Sequence, residues 1–145
     1  MLQRVHYMSQ CDAESMFPAP GSAIISITDP DATAASLHAG WASVLRLAFE
    51  DIDPRYWEPE DGKVTPLSES QAVEIARFVE VVSSTCRVLV VHCRYGQSRS
   101  AATARAICEV KGFAVPEATR SANPFVYELV KQALVRQRAA GNRSR

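Results

Sequence analysis

Histidine and cysteine are scarce in this chain, and neither is spaced as metal sites require. Three histidines and four cysteines occur among 145 residues. Cys11, Cys86, Cys93 and Cys108 form no Cys-x-x-Cys pair, so structural zinc is not indicated. Four cysteines are also too few for a disulfide scaffold in a chain long enough to bury its own core, and a reducing, cytoplasmic setting is the expectation. Net charge is absent: 16 basic residues against 16 acidic ones give +0, which argues against a nucleic-acid or membrane surface carried by bulk charge. No apolar run approaches a membrane span, and the residues after Met1 lack the apolar centre of a signal peptide. Repeats, low-complexity tracts and interdomain linkers are missing as well. With 47% hydrophobic and 22% charged residues, an ordinary globular balance, one monomeric domain over 1–145 is expected. The one local excess is terminal: Arg136, Arg138, Arg143 and Arg145, with no acid between them, read as a frayed basic tail from about residue 138.

What is present is an alternation of strand-like and helix-like segments. Residues 5–9 are a short strand candidate. Ala23-Ile24-Ile25-Ser26-Ile27-Thr28 is β-branched and stops at Asp29-Pro30, the pattern of a buried strand. A third strand covers 44–49 and runs into the acidic Glu50-Asp51-Ile52-Asp53-Pro54. Pro54, Pro59, Gly62 and Pro66 make 53–66 a loop. Ser68-Glu69-Ser70-Gln71 has capping-box form, and Ala72, Ile75, Ala76, Val79 and Val82 follow at helical spacing to about 83. The all-apolar 88–91 suits a strand covered on both faces. Residues 98–111 form a small-residue helix stopped by Gly112, and Asn123-Pro124 opens a last helix to about 140. The pattern predicts an α/β fold: a single layered domain with a central, largely parallel four- to five-stranded sheet flanked by helices. Ligands of such sheets sit beyond the carboxyl ends of the strands.

The segment His92-Cys93-Arg94-Tyr95-Gly96-Gln97-Ser98-Arg99-Ser100 lies at such an end, between a strand and a helix. A chain turning from strand to helix aims several unpaired backbone N–H groups into one hollow, with the positive end of the helix behind them. That is a site for a tetrahedral anion. Gly96 permits the tight path. Arg94, Tyr95, Gln97 and Ser98 complete the loop wall, and Arg99 can hold two anion oxygens with its planar fork. Cys93 sits on the floor, where these groups favour its thiolate. A thiolate so placed can attack phosphorus in line while the loop neutralises the equatorial charge. Ser100 offers a hydroxyl behind the sulfur, and His92 fixes the loop by hydrogen bonding.

His92, Cys93, Gly96, Arg99 and Ser100 resemble the His-Cys-x-x-Gly-x-x-Arg-Ser/Thr signature of the protein tyrosine and dual-specificity phosphatase superfamily. Ser98-Arg99-Ser100 resembles the ending common in its dual-specificity-like branch. The resemblance is firmest over 88–111 and extends more loosely to 24–53, where a strand ending in Phe-Glu-Asp is similar to a compact bacterial subgroup. It implies a tyrosine-phosphatase-like fold and hydrolysis of phosphomonoesters through a cysteinyl-phosphate, on phosphotyrosine or with dual specificity. No cofactor is implied, and the implied partner is a phosphorylated protein or a small phosphoester. It also implies an aspartate general acid on a loop after an earlier strand. Asp51, directly after 44–49, fits best, and Asp53 is the alternative. Low-molecular-weight phosphatases and arsenate reductases carry the signature at the N-terminus, unlike this chain, and rhodanese-type loops lack its Gly-x-Ser-Arg-Ser ending.

Other residues are assigned structural work. Asp61 in Asp61-Gly62 reads as a turn residue, and Asp29 before Pro30 as a turn or cap. Trp41, Tyr56 and Trp57 either line a pocket mouth or simply pack. His6 and His38 have no partner at a telling spacing, and Cys86 and Cys108 read as inert and buried. Cys11 would guard Cys93 as a disulfide only if their α-carbons approach to about 4.4–6.8 Å. Two rival readings remain: a phosphate-binding module without turnover, and a phosphatase for non-protein phosphoesters. Tyr95 and Gln97 are neutral where phosphoinositide-selective members carry basic residues.

Overall fold

In the computed structural model, which describes residues 1–56, 64–116 and 120–143, four strands and four helices alternate. In chain order they are β1 (Arg4–Ser9), α1 (Gln10–Ser15), β2 (Ser22–Thr28), β3 (Ser43–Ala48), α2 (Glu69–Thr85), β4 (Val88–Cys93), α3 (Arg99–Lys111) and α4 (Pro124–Arg143). The strands form one four-stranded sheet in the order β1-β4-β2-β3, and every pairing is parallel. The expected α/β architecture is therefore present in its fully parallel form, with four strands.

Burial explains the sequence texture. β2 is buried from Ser22 to Ile27 because it lies inside the sheet and both its faces are covered. β3 lies on the edge and alternates between more and less exposed positions. On one face Ile25, Ile27, Leu89, Val91 and Cys93 join Ile75, Val79, Ile107, Val126 and Val130 in the main core. On the other, Ile24 and Val90 meet Ala13, flanked by Leu37 and Trp41. Strand alternation thus sends Cys93 to the helix-packed face and His92 to the opposite one.

The termini of the helices follow their local chemistry. Ser68 and Gln71 form both halves of the capping box. Gly112 closes α3 in the left-handed conformation, with φ of 81°. Asn123 Oδ1 accepts from the N–H groups of Phe125 and Val126, as a helix-opening residue should. α1 was not foreseen, because a six-residue helix capped by Ser9 is too short to leave a periodic signal. In the basic segment, α4 continues to Arg143, and Arg138 donates to the Val110 carbonyl at 3.2 Å. Trp57, Asp61 and Gly62 of the Pro-rich loop and the final two residues lie outside the described residues. Among the described residues no helix is long and apolar enough to cross a membrane.

Candidate active site

Parallel pairing delivers the carboxyl ends of β2, β3 and β4 to the same side of the sheet, and the loop from Arg94 to Ser98 rises there between β4 and α3. Its path depends on Gly96. The residue has φ of 72°, and a Cβ there would lie 2.4 Å from Ser9 N and 2.5 Å from the Met8 carbonyl carbon. Only glycine fits the conformation and the close approach together.

Cys93 ends β4 with 2% of its surface exposed. Its Sγ lies 3.1 Å from Ser100 Oγ. Burial opposes ionisation of this thiol, but the Ser100 hydroxyl, the backbone N–H groups of Ser100 and Gly96, and the charge of Arg99 together hold its pKa below the ordinary value. Ser98 opens α3 without a side-chain cap, because its hydroxyl donates to Asp51 Oδ1 at 2.8 Å instead. Asn123 Nδ2 donates to the same oxygen at 2.9 Å and to the Ile52 carbonyl at 3.0 Å. Asp51 is thereby fastened against the loop, and no described residue hydrogen-bonds its Oδ2.

Arg99 is 4% exposed. Its Nη1 donates to Asp29 Oδ1 at 2.8 Å and to the Phe49 carbonyl at 2.7 Å. Beneath the loop, His92 Nε2 lies 2.6 Å from Ser26 Oγ, and Nδ1 lies 3.4 Å from the Cys93 carbonyl. A carbonyl only accepts, so the neutral ring carries its proton on Nδ1 and accepts from Ser26 at Nε2. Burial keeps that ring neutral by lowering its pKa, against the opposing pull of the Cys93 carbonyl.

Asp51, Cys93, Tyr95, Gln97, Ser98 and Arg99 line one cavity of about 330 Å³, joined by Ser121 ahead of α4. Of the expected site residues, these six come together, with Ser100, Gly96 and His92 packed behind or beneath them. Arg94 does not join them: it lines a neighbouring cleft with Asp29, Asp31 and Glu50, its guanidinium 5.3 Å from the Tyr95 ring centre. Asp53 is also elsewhere. Arg55 grips it through Nε at 2.9 Å and Nη2 at 2.8 Å, and those hydrogen bonds, against partial burial, hold its carboxyl below the usual range. Cys11 sits on exposed α1, whose Ala13 packs on the face opposite Cys93, and both thiols are free.

Three contributors escaped the sequence reading. Asp29 does make a turn, its carbonyl accepting from Ala32 N at 3.1 Å, but its carboxylate is committed to Arg99. Its place at the end of a strand beside the strand of Cys93 was the available signal. Asn123 was legible as a cap and not as a ligand of Asp51, while Ser26 carried no signal beyond a polar residue in a buried strand. Among the described residues, no three His, Cys, Asp or Glu side chains are grouped as metal ligands would be.

The fold is phosphatase-like, an all-parallel α/β sheet with the cysteine loop at its centre. Among solved structures it is similar to the crystal structure of human DUSP28, with a TM-score of 0.52 over 94% of each chain and 15% sequence identity. No family model and no curated protein matches the sequence.

Proposed function

We propose that this chain hydrolyses phosphomonoesters through a cysteinyl-phosphate intermediate. The observation that carries the reading is the convergence on one cavity of a thiol with depressed pKa, a buried arginine and a carboxylate held by two donors. The Cys93 thiolate attacks phosphorus, and the bond to the leaving oxygen breaks in line. N–H groups of the loop and the Arg99 fork hold the phosphoryl oxygens as their charge redistributes. Asp51 gives its proton to the departing oxygen, which leaves as an alcohol. A water, losing its proton to Asp51, then attacks the cysteinyl-phosphate, and the sulfur departs as thiolate with the Ser100 hydroxyl donating to it. Inorganic phosphate is the product, and Cys93 and Asp51 return to their starting states.

For substrate, phosphotyrosine or dual specificity is the reading best supported. Tyr95 stands at the rim with 71% of its surface exposed, available to pack against an aromatic leaving group. The test is p-nitrophenyl phosphate turnover in reductant, with phosphotyrosine and phosphoserine peptides compared by initial rate. Wild-type turnover and its loss in Cys93→Ser are expected; unchanged turnover in that variant overturns the mechanism.

A further inference from the structure

Among the described residues, Arg99 is the only buried side chain carrying a permanent charge. Burying a guanidinium is costly unless its N–H groups find acceptors, and a paired carboxylate is the strongest of these. Both N–H groups of Nη1 have found one: Asp29 Oδ1 at 2.8 Å and the Phe49 carbonyl at 2.7 Å. These acceptors come from just beyond the carboxyl ends of β2 and β3, outside the cysteine loop. The Nε–Nη2 edge meets no acceptor among the described residues, yet it is the edge whose two parallel N–H bonds suit a bidentate oxyanion. Arg99 is therefore gripped at one corner while its recognition edge is left for the cavity it lines.

We propose that Asp29 is a positioning residue, which fixes the orientation of the Arg99 fork and balances its charge before an oxyanion enters. The proposal rests on the phosphate-site reading above. Asp29 touches neither substrate nor the reacting atoms, and it acts through Arg99. A carboxylate is suited to this because it accepts strongly at 2.8 Å while remaining partly exposed, with 36% of its side chain open to water. An oxyanion bound on the opposite edge would then meet an arginine already ordered.

The probe is tungstate, a tetrahedral oxyanion that needs no turnover, titrated calorimetrically into wild-type protein, Asp29→Asn and Asp29→Ala. Both variants should bind it more weakly, Asp29→Ala by about tenfold and Asp29→Asn by less, because the amide oxygen still accepts. The KM for p-nitrophenyl phosphate should rise with little change in kcat, a split that simple loss of stability does not produce. In an Arg99→Lys background, which has no fork to orient, Asp29→Asn should change tungstate affinity little further. If Asp29→Ala does not fold, Asp29→Asn, of the same size, carries the comparison. Wild-type tungstate affinity in folded Asp29→Asn, or an equal loss in the Arg99→Lys background, overturns the assignment. Wild-type protein that binds tungstate without turning over ester would sink the hydrolase reading and leave the Asp29 comparison standing.

Discussion

Two buried cysteines in this fold show how surroundings decide reactivity. Cys108, in α3, has its pKa raised by burial and by the charge of Glu109. Cys93, equally withdrawn, has its own lowered, because the Ser100 hydroxyl, two backbone N–H groups and Arg99 outweigh burial. Residue-resolved alkylation by iodoacetamide between about pH 5 and 9, read by mass spectrometry, should therefore show Cys93 reacting at lower pH than Cys108. Ser100→Ala removes a donor to the thiolate, so the Cys93 inflection should move upward; an unmoved inflection would show that the 3.1 Å contact does not stabilise the anion. The same variant should slow departure of the sulfur, so that a burst of p-nitrophenol precedes the steady state. Gly96 makes a different demand, on space. Gly96→Ala forces a positive φ on alanine and sets its Cβ 2.4 Å from Ser9 N, so it should cost about 2–5 kcal/mol in denaturant unfolding and abolish tungstate binding. Wild-type stability in that variant would mean that the loop has another path. The glycine was legible in the sequence as a tight turn; that its neighbour is the end of β1 was not, since the two are remote along the chain.

At the scale of elements, α4 matters to the site through its first turn. Asn123 caps the helix with Oδ1 and holds Asp51 and the Ile52 carbonyl with Nδ2. Arg55 adds a second tie, gripping Asp53 and reaching Glu128 on α4 at 2.5 Å. The loop carrying Asp51 is thus buttoned to a helix about 70 residues later. Asn123→Ala should cost about 1 kcal/mol as a lost cap and loosen Asp51, leaving Ser98 as its one donor. Loosening a general acid matters most when the departing oxygen is a poor leaving group. The rate for phenyl phosphate should accordingly fall several-fold more than that for p-nitrophenyl phosphate, by roughly tenfold overall. Equal falls for both esters would separate Asn123 from proton delivery. Ser68→Ala is the matching control: it removes a cap of the same worth, about 1 kcal/mol, from α2 and should leave kcat unchanged. Both caps were readable because capping is local. The capping box closes within three residues, whereas the hold on Asp51 spans 72 and leaves no periodic trace. For the same reason Asp53 stood as the alternative to Asp51, since no local pattern showed that Arg55 grips it.

For the molecule as a whole, periodicity identified each strand but not its neighbours, and neighbours are what build the site. The order β1-β4-β2-β3 puts the strand of Cys93 beside β2, so that Asp29 meets Arg99 and Ser26 meets His92. Both pairs follow from one adjacency that no local pattern encodes. That adjacency also sets how the fold responds to acid. His92 is fully buried, spends Nε2 on Ser26, and has a lowered pKa chiefly through burial, so the folded state holds it neutral while the unfolded chain titrates near 6.5. As pH falls below about 6.5 the unfolded chain takes up a proton that the folded protein refuses, and folding stability declines until the lowered folded-state value is passed. The depressed carboxylates Asp53, Glu14 and Glu109 act in the same sense but later, since their reference values are 3.8, 4.5 and 4.5. The two windows are separable. In a Cys93→Ser background, which removes the slope that a thiol depressed from 9.0 would add, urea midpoints should be steady between about pH 7 and 8, decline below about pH 6.5 through His92, and decline further below about pH 4.5 through the carboxylates. His92→Asn, measured across the same series, should remove the first decline and keep the second; a variant that retains the first decline would assign it to some other group.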